Sequence, residues 1–219
     1  LHECEIVLVR HGQASFGTDD YDRLSPLGHE QARWLGSYMH THAMRVDRVS
    51  RGSLRRHRET AEGIAQTFAV PPAAEDPRLN ELHFDSLAAQ YRQATGSGPA
   101  ESRGEFIEMF PRLFDHWASG KISNAGESYE AFCTRTQAVV DAAVAQGGST
   151  LLVTSGGVIG VTLARVLGLD PRTTADLLIN IHNASVHRLI VEDGRLRLSL
   201  FNASPHLDPE DRRHARTYI

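Results

Sequence analysis

Arg10-His11-Gly12 sets an arginine beside a histidine directly after the apolar run Ile6-Val7-Leu8-Val9. Such a run reads as a buried strand, and the turn that ends it is where open α/β sheets build their sites. A neutral imidazole there can act as a nucleophile or base, and a guanidinium beside it can hold an anion. The tripeptide alone is weak evidence, because an isolated histidine at a strand end is more often a structural hydrogen-bonder. Two further strand ends add to it. Val46–Ser50 runs into Ser53, Leu54, Arg55 and Arg56, which puts cations in the first turn of a helix, a place that favours an anion. Thr150–Thr154 runs into Ser155-Gly156-Gly157, where glycines let backbone N–H groups approach an oxyanion closely. Each arginine taken singly reads as a surface charge and the glycine pair as a turn, but their joint placement at strand ends points to an anionic substrate.

Strand and helix patterns alternate along the chain, which predicts a three-layer α/β/α sandwich around a mostly parallel sheet. Strands are expected at Glu5–Val9, Val46–Ser50, Ala73–Glu75, Thr150–Thr154 and Ala184–Glu192. Arg195–Asn202 follows the turn signal Asp193-Gly194 and should form an antiparallel hairpin at or near a sheet edge. The first helix takes Ser25 as N-cap and Pro26 at its first position, with Leu27, Trp34, Leu35 and Tyr38 as its core face. Further helices are expected over 54–68, ended by Pro71-Pro72, over 129–145, and from about Val158. Ser86–Asn124 reads as an inserted helical cap, two segments around Gly96-Ser97-Gly98-Pro99. Its stripe Phe106, Phe110, Leu113, Phe114 and Trp117 suits packing on the main body, and the segment as a whole could also serve as a lid.

With 219 residues, 41% of them hydrophobic and 23% charged, the chain suits one domain over 1–219 with a single sizeable core. A net charge of −4 without a basic stripe argues against nucleic acid; the basic tail Arg212-Arg213-His214-Ala215-Arg216 is short and lies beside Glu210 and Asp211. Cys4 and Cys133 stand far apart, without metal-ligand spacing, which suits free thiols in a reducing, cytoplasmic setting. No apolar stretch approaches a membrane span, and Leu1 to Glu5 do not resemble a secretory leader. His40-Thr41-His42 would point its rings apart on a helix, so no metal or other cofactor is expected.

Leu8-Val9-Arg10-His11-Gly12-Gln13, the helix entry Leu24-Ser25-Pro26-Leu27-Gly28, Leu54-Arg55-Arg56 before Glu59-Thr60-Ala61, and Gly126-Glu127-Ser128 together resemble the histidine phosphatase superfamily, the phosphoglycerate-mutase-like group. The likeness spans most of the chain outside Ser86–Asn124. It implies a phosphohistidine intermediate on His11, with Arg10 and Arg56 holding the phosphoryl oxygens. Physical chemistry agrees: arginine offers a planar fork for phosphate, and neighbouring cations keep the imidazole neutral for attack. Glu81, in Leu79-Asn80-Glu81-Leu82-His83-Phe84, resembles the family's general acid and base, although Asp85 stands where glycine is usual. A capping or surface glutamate is its other reading. Gln13 could bond phosphate or hold the loop.

The family typically carries a second histidine directly before the glycine pair, and Ser155 stands there instead. A serine hydroxyl can donate to a phosphoryl oxygen but brings no charge, and loss of an oxyanion donor costs about 3–4 kcal/mol of barrier. His206 or His182 could supply the missing group, and Ser155 and Gly156 would complete the phosphate cradle. The stretch Ser50-Arg51-Gly52-Ser53 also departs from the family's usual Ser-Ser-Pro, with Arg51 either facing solvent or contacting an anionic substrate. Ser155 is not itself a nucleophile of the hydrolase type, since Val153 stands where the elbow needs glycine. The readings that remain are a metal-independent phosphomonoesterase acting on a small-molecule or protein phosphoester, and a weakened relative that binds phosphorylated ligands or partners without useful turnover. A mutase fits less well, because Ala14 to Asp22 lacks the tryptophan- and asparagine-containing stretch of those enzymes. Substrate choice would fall largely to Ser86–Asn124.

Overall fold

The computed structural model describes residues 4–15 and 20–218. Residues 16–19, within the stretch weighed against the mutase pattern, lie outside the described residues. The elements run β1 (Cys4–Arg10), α1 (Pro26–Thr41), β2 (Arg48–Arg51), α2 (Arg55–Ala65), β3 (Ala74–Glu75), α3 (Phe84–Thr95), α4 (Arg103–Ala118), α5 (Tyr129–Gln146), β4 (Gly148–Thr154), α6 (Gly156–Leu167), α7 (Pro171–Leu178), β5 (Val186–Glu192) and β6 (Arg195–Ala203).

Six strands form one sheet in the order β3-β2-β4-β1-β5-β6. β3, β2, β4 and β1 are mutually parallel; β5 runs antiparallel to β1 and turns through Asp193-Gly194 into β6, the edge strand. The hairpin is the one expected, with its antiparallel member inside the edge. β1 pairs with strands on both sides, which explains its unbroken apolar run: Ile6 and Leu8 face one helical layer, Val7 and Val9 the other. The first layer joins α3 to α7, and the second holds α1 and α2.

α1 begins at Ser25, whose hydroxyl accepts from the Gly28 N–H, with Pro26 behind it as predicted. Its buried face differs from the expected one. Gly28, Ala32, Leu35 and Met39 point inward, whereas Trp34 and Tyr38 are half-buried. Trp34 lies beneath the Arg212 guanidinium and Tyr38 stacks on His42. The reason is close helix contact: a Cβ on Gly63 of α2 would come within 2.6 Å of the Ala32 methyl, and one on Gly36 within 2.4 Å of the Ile64 carbonyl oxygen. Large aromatics cannot sit on a face that close.

The 86–124 segment is helical as expected. α3 ends on Gly96 in the left-handed conformation, and α4 buries Phe110, Leu113, Phe114 and Trp117 against the body while Phe106 packs from the rim. α7 and the late 3₁₀ turns were not anticipated. None of the helices, among the described residues, is long and apolar enough to cross a membrane.

Burial sets an acid limit on this fold. Desolvation first, and arginine charge second, push His187 and His206 down to about 3 from an ordinary 6.5. The unfolded chain takes up protons at both residues below about pH 6.5 while the folded chain does not, so their contribution is complete above that value and shrinks as pH falls toward 3. Each removes about 1.4 kcal/mol per pH unit within that window. The urea midpoint is expected to be clearly lower at about pH 5.5 than at about pH 7.5 with unchanged slope; equal midpoints would contradict it.

Candidate active site

The parallel register brings Arg10 opposite Thr154, so the turns after β1 and β4 lie side by side. The His11 N–H donates to the Thr154 carbonyl at 2.9 Å, and the His11 carbonyl accepts from Ala184 at 3.1 Å. Ala184 takes a positive φ of 54° there, a costly conformation for a residue with a Cβ, held by its complete burial. Gly12 is needed because a Cβ would meet the Gly28 carbonyl oxygen at 2.5 Å; its N–H donates to Thr60 Oγ1 at 3.0 Å. The turn is thus locked to both α1 and α2.

His11 is almost fully buried, and its Nδ1 lies 2.7 Å from the Gly12 carbonyl oxygen. A carbonyl only accepts, so Nδ1 carries the proton and Nε2 keeps its lone pair. Burial, and then the charges of Arg56 and Arg10, hold the imidazole well below its ordinary range, hence neutral. Arg10 donates through Nη1 to the Ile181 carbonyl and Arg56 through Nη1 to Asp22 at 2.6 Å. Both leave a buried Nε–H without a hydrogen-bond partner among the described residues. Buried unpaired donors of this kind call for an acceptor, and an anion between the two forks would supply it. Burial pulls Arg10 down to about 10, with Glu81 opposing, so it keeps its charge near neutrality.

Glu81 reaches across from the segment before α3 to the first turn of α6, where both carboxylate oxygens accept from the Gly157 N–H at 3.1 Å. At the expected backbone cradle Ser155-Gly156-Gly157, the Gly157 donor is thus taken by this side chain. Gly157 must lack a Cβ, which would lie 2.2 Å from Glu81 Oε1. A Cβ on Gly156 would come 3.8 Å from Arg10 Nε, so the helix start and the guanidinium are neighbours. Gln13 turns its side-chain oxygen to Ser25 Oγ at 2.7 Å and its backbone N–H to Gln31, which are loop-holding contacts. Arg51 pairs with Glu75 at 2.9 Å.

His206 is placed elsewhere than expected. It sits buried in the 3₁₀ turn Pro205–Leu207, which packs on α1, with Arg212 and Arg216 as its charged neighbours. No described contact joins it to Ser155. His182 packs its ring on Tyr218 and donates its backbone N–H to Asn202 Oδ1 at 2.8 Å. The histidine that does meet Ser155 is His57, passed over in the sequence: its Nε2 lies 2.6 Å from Ser155 Oγ, and its ring centroid lies 5.7 Å from that of His11.

The chain belongs to the histidine phosphatase superfamily, branch 1, whose profile matches residues 6–204, and its enzyme class is that of a phosphatase. A metal-independent phosphoserine phosphatase of Arabidopsis thaliana is 27% identical over 212 residues, covering 93% of this chain and 83% of that one. A probable phosphoglycerate mutase of Yersinia enterocolitica is 26% identical over 194 residues, 84% of each chain. Among solved structures, a mycobacterial glucosyl-3-phosphoglycerate phosphatase shares the fold with a TM-score of 0.66 at 24% identity, over 92% of this chain and 100% of that one. An Entamoeba histolytica phosphoserine phosphatase does so with a TM-score of 0.66 at 19% identity, over 93% and 98%.

Proposed function

We propose that this chain is a metal-independent phosphomonoester hydrolase that works through a phosphohistidine on His11. The observation that carries the reading is the Nδ1–H bond from His11 to the Gly12 carbonyl, which leaves Nε2 free beside two arginines with unpaired donors. In the first step the Nε2 lone pair attacks phosphorus, the bond from phosphorus to the ester oxygen breaks, and the Glu81 carboxyl gives its proton to the leaving oxygen. In the second, the Glu81 carboxylate takes a proton from water as that water attacks phosphorus. The phosphorus–nitrogen bond then breaks, which frees phosphate and restores neutral His11. Arg10 and Arg56 neutralise the charge spread over the equatorial oxygens in both steps.

The name of the Arabidopsis thaliana relative suits a small phosphomonoester such as phosphoserine. A relative that binds phosphorylated ligands without turnover is favoured only by Ser155. The test is a quench under mildly alkaline conditions with chelator present, using phosphoserine and an aryl phosphate, followed by intact-protein and peptide mass spectrometry. A phosphate adduct on His11 alone, accompanied by phosphate release, is the expected result. An adduct on serine, or no release from either ester, would overturn the reading.

A further inference from the structure

Three residues that depart from what the sequence led one to expect meet at one point in the fold. Ser155 is the N-cap of α6, yet its hydroxyl makes no capping bond; Glu81 has taken the Gly157 donor, and Ser155 Oγ pairs with His57 Nε2 instead. A serine at this position ordinarily accepts from the second or third N–H of its helix, so its diversion marks a different task. Gly52, after β2, is the second departure. A Cβ there would lie 2.1 Å from His57 Nδ1, so the missing side chain is what lets the ring turn inward. His57 is the third, a completely buried imidazole in the first turn of α2, directly after Arg56.

We infer that His57 is a positioning residue of the reaction, donating from Nε2 to Ser155 Oγ and thereby directing the serine hydroxyl proton toward a phosphoryl oxygen held beside His11. The direction of that hydrogen bond follows from what remains unpaired. Nδ1 of His57 is buried with no partner among the described residues. If Nδ1 carried the proton, a donor would be orphaned; with the proton on Nε2, only an acceptor is, which is the lesser cost. A serine that accepts from imidazole must send its own hydrogen elsewhere. The ring also lies 5.7 Å from that of His11, centroid to centroid, which puts the pair beside the His11 imidazole. His57 acts through Ser155, and the two side chains together supply the oxyanion donor that serine alone would leave unaimed.

This inference rests on the phosphatase reading above, and the experiment separates the two. Steady-state kinetics with an aryl phosphate would compare wild type, His57→Ala, His57→Gln, Ser155→His and the exchanged pair His57→Ser/Ser155→His. His57→Ala is expected to lower kcat by about 10²-fold with KM little changed. His57→Gln, whose amide N–H can reach Ser155, should keep most of the rate. Ser155→His alone should be poor because two rings cannot share that space, whereas the exchanged pair should recover about tenfold or more of what His57→Ala loses. A purely structural histidine would give losses that add, track the melting temperature and are not recovered by exchange; that pattern, or wild-type kinetics in His57→Ala with the His11 adduct intact, overturns the inference and leaves the phosphatase reading standing. Calorimetry with orthovanadate gives a readout that needs no turnover. His57→Ala should weaken vanadate, a mimic of the five-coordinate transition state, more than inorganic phosphate. Equal weakening overturns the inference, and a wild type that binds neither anion overturns both proposals.

Discussion

His11→Ala is expected to abolish phosphate release from every phosphomonoester, by on the order of 10⁴-fold or more in kcat, while leaving anion binding largely in place. The reason lies in how the site divides its work. In the proposed mechanism, binding falls to Arg10 and Arg56, whose guanidinium groups are held by Ile181 and Asp22 rather than by the imidazole. In that mechanism covalent chemistry falls to one lone pair, on His11 Nε2, and among the described residues no neighbouring group is set up to replace it: Ser155 is bonded to His57, and burial with arginine charge keeps the His57 ring neutral. Alanine also removes little of the scaffold, since the bonds that lock the turn run through the backbone of His11 and Gly12. Calorimetry with inorganic phosphate should therefore show binding within a few fold of wild type while the mass adduct disappears. Turnover at a hundredth of wild type or better would show that phosphate leaves by another route.

The elements that carry Arg10, Arg56 and Gly156 were legible because each sits at an abrupt change from apolar run to helix, and a buried parallel strand cannot hide its end. The capped start of α1 and the α3 and α4 pair were legible for similar local reasons: Ser25-Pro26 and Gly96 act on their own neighbours. His57 was not legible. It stands next to Arg56, and whether such a neighbour points inward or outward depends on what the helix packs against. Here that is decided by sheet order. β2 lies beside β4, so the first turn of α2 faces the first turn of α6 across the site. No local pattern encodes that adjacency, and the only local trace was Gly52, whose missing side chain has a purpose only once the ring is seen beside it. The same gap explains why His206 in the tail reads as a possible replacement in the sequence. His206 is close to the chain's end but packs on α1 through a turn whose path the sequence does not announce. Trp34 and Tyr38 lie off the buried face for a different reason, as hydrophobic periodicity cannot tell a face that needs bulk from one that needs closeness.

Glu81→Gln is expected to separate the two halves of the reaction. Glutamine keeps the shape, and its carbonyl oxygen can still accept from the Gly157 N–H, so the side chain should stay against α6 rather than leave the site. What it loses is the proton. With an alkyl ester such as phosphoserine, the leaving oxygen is a strong base and needs protonation, so kcat should fall by about 10²–10⁴-fold. An aryl phosphate with a stable phenolate leaves without help, so its first step should proceed nearly as before. Water activation is lost for both, and the phosphohistidine on His11 should accumulate, visible as a burst of phenolate followed by slow turnover. Gly157→Ala offers a second route to the same end, because the added methyl would occupy the place of Glu81 Oε1 and force the carboxylate out. A glutamate that merely caps α6 would instead give equal, modest losses for both esters in both variants, with no burst and no lasting adduct.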